Sequence, residues 1–300
     1  MQASNKLTKC CLTVLCVVVM LTSCRTSSTL VQQTSTAVTT NQLPWNGKQA
    51  SIVLTYDDAL NVHLDNAIPL LDTLGFKGTF YLSDYYGKMQ SQLPRWKVAA
   101  SNGHELGNHS VYHPCEGGRP GREFVRPQND LNNYTVQRMT NEITTMNSFL
   151  QQLDSKTNRT FAFPCSDTRI HDTAYIEFSK QQLVAARAVR AEMPLLENVR
   201  VFDVPAYAIN GESGEKLVEL VQQAIAKKAL LVFLFHGVGG EHSLNVSLEA
   251  HAQLLRFIKQ HEKELWVAPM VEVAAYVKNN QTSTRRLTNN YQFFIIKKIV

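Results

Sequence analysis

The 300-residue sequence lacks an apolar run long enough to cross a membrane, and its central part, residues 24–280, has almost no net charge. The run CCLTVLCVVVML at residues 10–21 is twelve residues long, whereas a transmembrane helix needs about 20. Of the formal charge of +5, residues 1–23 carry +2 and residues 281–300 carry +4, which leaves −1 for residues 24–280. A near-neutral body does not indicate a nucleic-acid-binding protein. With 44% apolar and 18% charged residues, global disorder is excluded as well.

The N-terminal segment is typical of an export signal. Lys6 and Lys9 precede the apolar run, and the sequence LTSC then ends at Cys24. LTSC resembles a bacterial lipobox, in which the signal is cleaved before the cysteine and a lipid is attached to its sulfur. We predict that residues 1–23 are removed, that Cys24 is lipidated, and that the protein is exported and anchored to a bacterial membrane. The folded domain would then be periplasmic or extracellular. An ordinary signal peptide with a chance cysteine is the alternative.

Residues 24–48 are predicted to form a flexible tether. Most of this stretch is rich in Ser, Thr and Gln and has little apolar periodicity, a composition that cannot bury enough surface to fold. Only two cysteines, Cys115 and Cys165, follow it. Two cysteines in an oxidising compartment favour a disulfide, and two buried free thiols are the alternative.

Short apolar strands alternate with helical patterns through the body of the chain. The segments SIVLTY at 51–56 and LLVFLF at 230–235 indicate strands that are buried on both faces. The alternation predicts an α/β fold with a parallel sheet, which we expect to form a barrel. Residues 281–300 contain an apolar stretch too short to cross a membrane, and we assign this tail no role.

Two groups of polar residues follow predicted strands, where parallel barrels have their active sites. Asp57 and Asp58 are adjacent carboxylates, which are costly to desolvate without a cation or a proton; a solvated turn is the alternative. His109 and His113 have the i, i+4 spacing that lets two imidazoles share one metal. The string HELGN at 104–108 is similar to a zinc-protease helix but has Asn where the second His is needed, which excludes that class.

A third candidate is His236, which ends the most apolar predicted strand. A histidine at a barrel mouth is suited to acid–base chemistry because small shifts bring its pKa near the working pH. A structural histidine is the alternative. The other histidines lack such a setting and are expected at the surface or in packing: His63, His104, His171, His242, His251 and His261.

Taken together, these segments resemble the polysaccharide deacetylase family (carbohydrate esterase family 4). The similar segments are TYDDA at 55–59, GTFYL at 78–82, GHELG at 103–107, HSVYHP at 109–114 and LFHG at 234–237. The resemblance covers roughly residues 50–277. It implies a distorted (β/α) barrel that forms a single catalytic domain, which we place at 49–280.

The resemblance also implies one divalent metal ion, for which we expect zinc, with cobalt or nickel as alternatives. Asp58, His109 and His113 would bind it, Asp57 would be the general base, and His236 the general acid. Two histidines and one carboxylate leave positions open for water and the substrate carbonyl. The implied reaction is hydrolysis of the amide bond in an acetylated glycan, which removes acetyl groups from an amino-sugar polysaccharide or oligosaccharide.

The sequence departs from the family pattern in two places. Ala162 stands where many members carry an arginine that steadies the base, and Arg159 is a nearby substitute. The family segment that supplies a hydrogen-bond partner for the general acid, here His236, is also poorly matched, and we take Asp203 for that partner. Pro164 and Leu234 are taken as substrate contacts.

The same resemblance brings the two body cysteines together. Cys115 follows the His-x-x-x-His-Pro segment, and Cys165 lies in the segment that should line the same pocket. Two loops that meet at one site can satisfy the Cα separation of about 4.4–6.8 Å that a disulfide requires. We therefore predict a disulfide between Cys115 and Cys165.

Three other functions remain open. An esterase that removes O-acetyl groups from xylan-type glycans would use the same site. A non-haem iron oxygenase shares the ligand set, although the paired Asp57 and the strand-end His236 argue against it. The third is a carbohydrate-binding lipoprotein without catalytic activity.

Overall fold

The computed structural model describes residues 43–85, 87 and 89–282. The predicted signal segment, Cys24 and most of the predicted tether lie outside the described residues, and so does the predicted tail apart from its first two residues. None of the described helices is long and apolar enough to span a membrane.

A parallel sheet of eight strands forms the centre of the fold. Its strands, in chain order, are β1 (Ala50–Asp57), β2 (Thr79–Leu82), β3 (Glu105–Asn108), β4 (Thr160–Ala162), β5 (Ala185–Arg187), β6 (Tyr207–Ala208), β7 (Leu230–Phe235) and β8 (Leu265–Val267). β1 is central, with β7 along one edge and β2 and β8 sharing the other. From β2 the sheet continues through β3 and β4 to β5, and from β7 it continues to β6.

The two central strands have the most continuous apolar sequences. All eight residues of β1 and all six of β7 are buried, as expected for strands covered on both faces. Helices provide the cover: α1 (Ile68–Leu74), α2 (Leu93–Ser101), α3 (Val136–Asp154), α4 (Gly214–Lys227), α5 (Leu248–Gln260) and a sixth helix at 270–282.

Local sequence signals define where several helices begin and end. The side chains of Thr135, Ser213 and Ser247 accept hydrogen bonds from backbone N–H groups in the first turns of α3, α4 and α5. Gly75 ends α1 with a left-handed φ of 77°. Pro69 lies in the first turn of α1, directly after a π-helical segment at His63–Ala67 that runs into this helix.

The barrel is irregular where the two ends of the sheet approach each other. A single bridge, between Arg187 of β5 and Val204, links β5 to the segment that precedes β6. The α/β fold and the distorted barrel expected from the sequence are confirmed.

The folded domain begins earlier than the tether prediction allowed. Trp45 is completely buried, and its Nε1 donates to the carbonyl oxygen of Lys228 at 2.8 Å. The backbone of Trp45 also pairs with that of Lys48. The last residues assigned to the tether therefore pack against the domain. The reason is the large apolar surface that the indole buries, which the polar residues before it lack.

Candidate active site

Three strands of the sheet deliver polar residues to one cavity. β1 ends at Asp57, which Asp58 follows, His109 comes directly after β3, and His236 comes directly after β7. The carboxyl ends of parallel strands lie at the same edge of a sheet. All four side chains line a cavity of ≈ 610 Å³. The fold thus brings the three sequence motifs together.

Asp58, His109 and His113 form a group whose ligand atoms all lie within 4.8 Å of one another. Oδ1 of Asp58 is 3.6 Å from Nε2 of His109 and 3.4 Å from Nε2 of His113. Asp58 and His113 have positive φ angles, 80° and 48°, a conformation that residues other than glycine adopt mainly where the surrounding structure demands it. Here it brings the ligand atoms of these two residues close to that of His109.

Hydrogen bonds leave the Nε2 atoms of both histidines available as ligands. Nδ1 of His109 lies 2.8 Å from the carbonyl oxygen of Ala162; a carbonyl only accepts, so Nδ1 carries the proton. Nδ1 of His113 lies 3.4 Å from Sγ of Cys115. Burial lowers the pKa of each histidine to about 4. Both rings are therefore neutral near pH 7, the form that binds metals.

Two buried carboxylate oxygens at the site have no hydrogen-bond partner among the described residues. These atoms are Oδ1 of Asp57 and Oδ1 of Asp58. Burying a carboxylate without compensation is costly, and a divalent cation beside the two neutral imidazoles would supply the missing charge. The donor set of one carboxylate and two imidazoles therefore fits such an ion.

Asp57 forms a buried ion pair with the guanidinium of Arg187, at the end of β5. Burial acts to raise the pKa of Asp57, but the positive field of Arg187, together with His109 and His236, lowers it below its usual value. Arg187 also lies over the ring of Tyr81, 5.2 Å from its centroid. Asp57 is thus held ionised and able to accept a proton.

Arg187 supplies the charge that the sequence analysis sought at residue 162. Ala162 and Arg187 are register partners on the neighbouring parallel strands β4 and β5, so their side chains leave the sheet on the same face. The proposed substitute, Arg159, is wrong: its guanidinium binds Asp154 and the carbonyl oxygen of Leu106. The signal that could have identified Arg187 is a lone cation inside the apolar strand pattern LVAARAV.

His236, which comes directly after β7, also approaches Asp58. Its Nε2 is 3.9 Å from Oδ2 of Asp58, and its carbonyl oxygen contacts Nε2 of His63 at 2.7 Å. Burial lowers the pKa of His236 to about 4, although the carboxylates of Asp58 and Asp57 oppose that shift. Its Nδ1 has no hydrogen-bond partner among the described residues.

The predicted partner of His236 is therefore wrong. Asp203 is part of a separate group of charges, where its carboxylate binds Arg190 and Arg200, each at 2.5 Å. Two guanidinium groups already neutralise Asp203, and it does not line the cavity.

His242, which the sequence analysis placed at the surface or in packing, belongs to the site. Its Nε2 lies 3.9 Å from Oδ2 of Asp58, and its ring stacks on that of His236 with centroids 4.7 Å apart. The sequence around His242 contains no recognisable motif, because its position depends on how the loop after β7 folds back over the cavity.

A disulfide joins Cys115 to Cys165, as predicted, with a Cα separation of 5.7 Å. It links the loop after β3 to the loop after β4. Leu234 lines the cavity as expected, whereas Pro164 is buried beside it and its neighbours Phe163 and Cys165 form the wall.

Comparison with known proteins agrees with this geometry. Residues 46–182 match the family model for polysaccharide deacetylase, which confirms the resemblance found in the motifs. No curated protein matches the sequence.

Solved structures share the fold at low sequence identity. A polysaccharide deacetylase candidate from Mycobacterium smegmatis superposes with a TM-score of 0.56 at 15% identity, over 78% of this chain and 92% of that one. The peptidoglycan N-acetylglucosamine deacetylase Bc1960 superposes with a TM-score of 0.51 at 17% identity, over 74% and 87% of the two chains.

Proposed function

Because the chain belongs to the polysaccharide deacetylase family, we propose that it is a metal-dependent hydrolase that removes N-acetyl groups from an amino-sugar polysaccharide or oligosaccharide. The observation that supports this most directly is the arrangement around one cavity of a metal-ligand group, an ionised Asp57 and the strand-end His236.

The residues of the site divide the reaction between them. A divalent ion held by Asp58, His109 and His113, for which we propose zinc, would polarise the acetyl carbonyl and acidify a water molecule. Asp57 would accept a proton from the attacking water, and Arg187 keeps Asp57 ionised for that step.

His236 would give a proton to the leaving nitrogen as the C–N bond breaks, so the amine leaves uncharged rather than as an anion. Because burial lowers the pKa of His236 to about 4, its ring is neutral in the free site near pH 7, so the proton that it gives up would come from Asp57, which gains one from the attacking water. Leaving-group protonation matters most for amides, because an amide nitrogen is a poor leaving group without it.

The cavity wall suits a small acyl group next to a polar glycan. Apolar side chains of Phe163, Val189 and Leu234 line the cavity and could contact the acetyl methyl. Phe124, also in the wall, is 46% exposed, and an exposed aromatic ring at the mouth offers an apolar face to a sugar ring.

Acetate release tests the proposal. The purified protein is incubated with N-acetylglucosamine oligomers, peptidoglycan and acetylated xylan, after chelation and after addition of zinc, cobalt or nickel. We expect acetate from the N-acetylated substrates only when metal is present, and a loss of about 100-fold or more in Asp57→Asn.

The other possible results of the acetate assay identify the alternative functions. Release only from xylan identifies an O-acetyl esterase. Full activity of Asp57→Asn with metal bound shows that another group is the base. If the wild type binds these glycans and releases no acetate with any metal, it is a carbohydrate-binding protein.

A further inference from the structure

His242 and His236 direct the same ring atom at the same carboxylate. Nε2 of each lies 3.9 Å from Oδ2 of Asp58, and the two rings are stacked with an angle of 15° between their planes. Both side chains line the cavity. A substrate bound over Asp58 would therefore meet two imidazole edges.

The loop that carries His242 is tightly built. Gly239, Gly240 and Glu241 have consecutive positive φ angles of 78°, 135° and 66°. The N–H of Gly240 donates to the side-chain oxygen of Asn245 at 2.8 Å. A Cβ on Gly237 would lie 2.3 Å from the carbonyl oxygen of Gly240, so that position excludes any larger residue.

Glu241 fastens this loop to the segment that follows Asp58. Its carboxylate accepts from Nδ2 of Asn61 at 2.9 Å and from the backbone N–H of Val62 at 2.8 Å. The residue before His242 is therefore tied to the segment after β1, and such preorganisation is what a transition-state contact requires.

One hydrogen bond determines which nitrogen of His242 carries the proton. The backbone N–H of Leu244 donates to Nδ1 of His242 at 3.0 Å. Nδ1 is therefore the acceptor, and in the neutral ring the proton is on Nε2, the atom that points into the site. An Nε2 that carries a proton cannot ligate a metal, but it can donate a hydrogen bond.

We propose that His242 is a second catalytic histidine, a fixed hydrogen-bond donor to the acetyl carbonyl oxygen as negative charge develops on it; this role rests on the proposed deacetylase function. The oxygen of the attacking water bonds to the carbonyl carbon, its proton goes to Asp57, and the electron pair of the C=O bond moves onto the oxygen. Nε2–H of His242 donates to that oxygen. When the carbonyl re-forms, the C–N bond breaks and the nitrogen takes its proton from His236.

His236 and His242 then have different roles, and substrates with different leaving groups can distinguish them. A donor to the carbonyl oxygen helps every acetyl substrate, because charge develops on that oxygen whatever group leaves. A general acid helps an amide but not 4-nitrophenyl acetate, whose leaving group departs without a proton. His236 has no partner on Nδ1 among the described residues, and His242 has the fixed one from Leu244.

The test compares His242→Ala, His242→Gln and His236→Ala on an N-acetylglucosamine oligomer and on 4-nitrophenyl acetate. We expect kcat/KM of His242→Ala to fall by ~10²–10³-fold on both substrates, and His236→Ala to lose activity mainly on the oligomer. His242→Gln keeps an N–H donor and should recover at least a tenth of the lost rate.

Controls separate this role from a structural one. Zinc content and thermal midpoint should be unchanged in His242→Ala, and His171→Asn, which removes an exposed imidazole outside the cavity, should behave as the wild type. A loss confined to the oligomer, a loss of bound zinc, or a change of less than threefold on both substrates would each overturn the role. A wild type inactive on both substrates would instead overturn the proposed function itself.

Discussion

Arg187 and Asp57 are the two residues whose charges depend most on each other. Both are buried, and removing one partner from a buried ion pair costs far more than removing an exposed charge, because the other charge stays desolvated. The site tolerates Asp57 as a base because a cation lies beside it. The cation is the guanidinium of Arg187, on β5. Its register partner on β4, Ala162, lies on the same face of the sheet and carries no charge.

We predict that Arg187→Met lowers kcat/KM by about 100-fold or more and shifts its acidic limb to higher pH. Burial acts to raise the pKa of Asp57 and Arg187 lowers it, so without the guanidinium the pKa rises. Fewer molecules then carry the ionised base at a given acidic pH. The pH dependence of kcat/KM for acetate release measures both effects.

The register of β4 and β5 provides a matched rescue. In Ala162→Arg/Arg187→Ala the guanidinium starts from the partner strand, one interstrand spacing of about 4.8 Å away. We expect the double variant to recover tenfold or more over Arg187→Ala and to return the acidic limb toward that of the wild type. Equal activity of the double variant and Arg187→Ala would show that the charge must come from β5.

The residues that sequence analysis found, and those it missed, differ in what defines them. Asp57, His109 and His236 sit in short motifs directly after strands that a continuous apolar run makes recognisable. Arg187 reaches Asp57 only through the pairing of β4 with β5, and His242 only through the folding of a glycine-containing loop. Such long-range placements leave no periodic pattern.

At the scale of elements, the loops after β3 and β4 are cross-linked to each other by a disulfide. The loop after β3 carries His113, and Sγ of Cys115 lies 3.4 Å from its Nδ1. Cys115 is tied to Cys165, and its backbone also pairs with Asn129 and Leu131. The disulfide therefore joins the loop that carries the candidate metal ligand His113 to a residue of the cavity wall, Cys165.

We predict that Cys115→Ser/Cys165→Ser lowers the free energy of unfolding by about 2–4 kcal/mol, because a cross-link over 50 residues restricts the unfolded chain. Denaturant unfolding of the wild type, with and without reductant, measures the same difference. Reductant should have no effect on the double variant.

The zinc affinity of that variant tests the link to the site. We expect it to fall, because the His113 loop loses its tie to the cavity wall. Stability that falls while zinc affinity stays constant would show that the disulfide supports the fold without positioning the ligand.

The element-scale predictions were accurate where one segment decides its own structure. β1 and β7 follow from uninterrupted apolar sequence, and both were predicted as strands buried on both faces. The domain start was misjudged at Trp45, since a single aromatic residue in a polar stretch gives no pattern although its burial is complete. Asp203 was misassigned because proximity along the sequence did not reveal its two arginine partners.

At the scale of the whole molecule, net charge is distributed unevenly along the chain. Residues 24–280 sum to −1, while both ends are basic and contain no acidic residue. An N-terminal lipid would keep the domain at the cell envelope, where its substrate would be an acetylated glycan of the same compartment. The anchor and the substrate class are thus expectations that support each other.

We predict that Cys24 is the lipidated residue of the exported protein. In bacteria grown with labelled palmitate, the wild type should carry the label and sediment with membranes, and detergent but not salt should release it, because buried acyl chains hold by the hydrophobic effect rather than by charge. Cys24→Ser should carry no label. Cys16→Ser, which removes a cysteine from the apolar run of the signal, should be labelled like the wild type; label retained in Cys24→Ser, or absent from the wild type, would reduce the segment to an ordinary export signal.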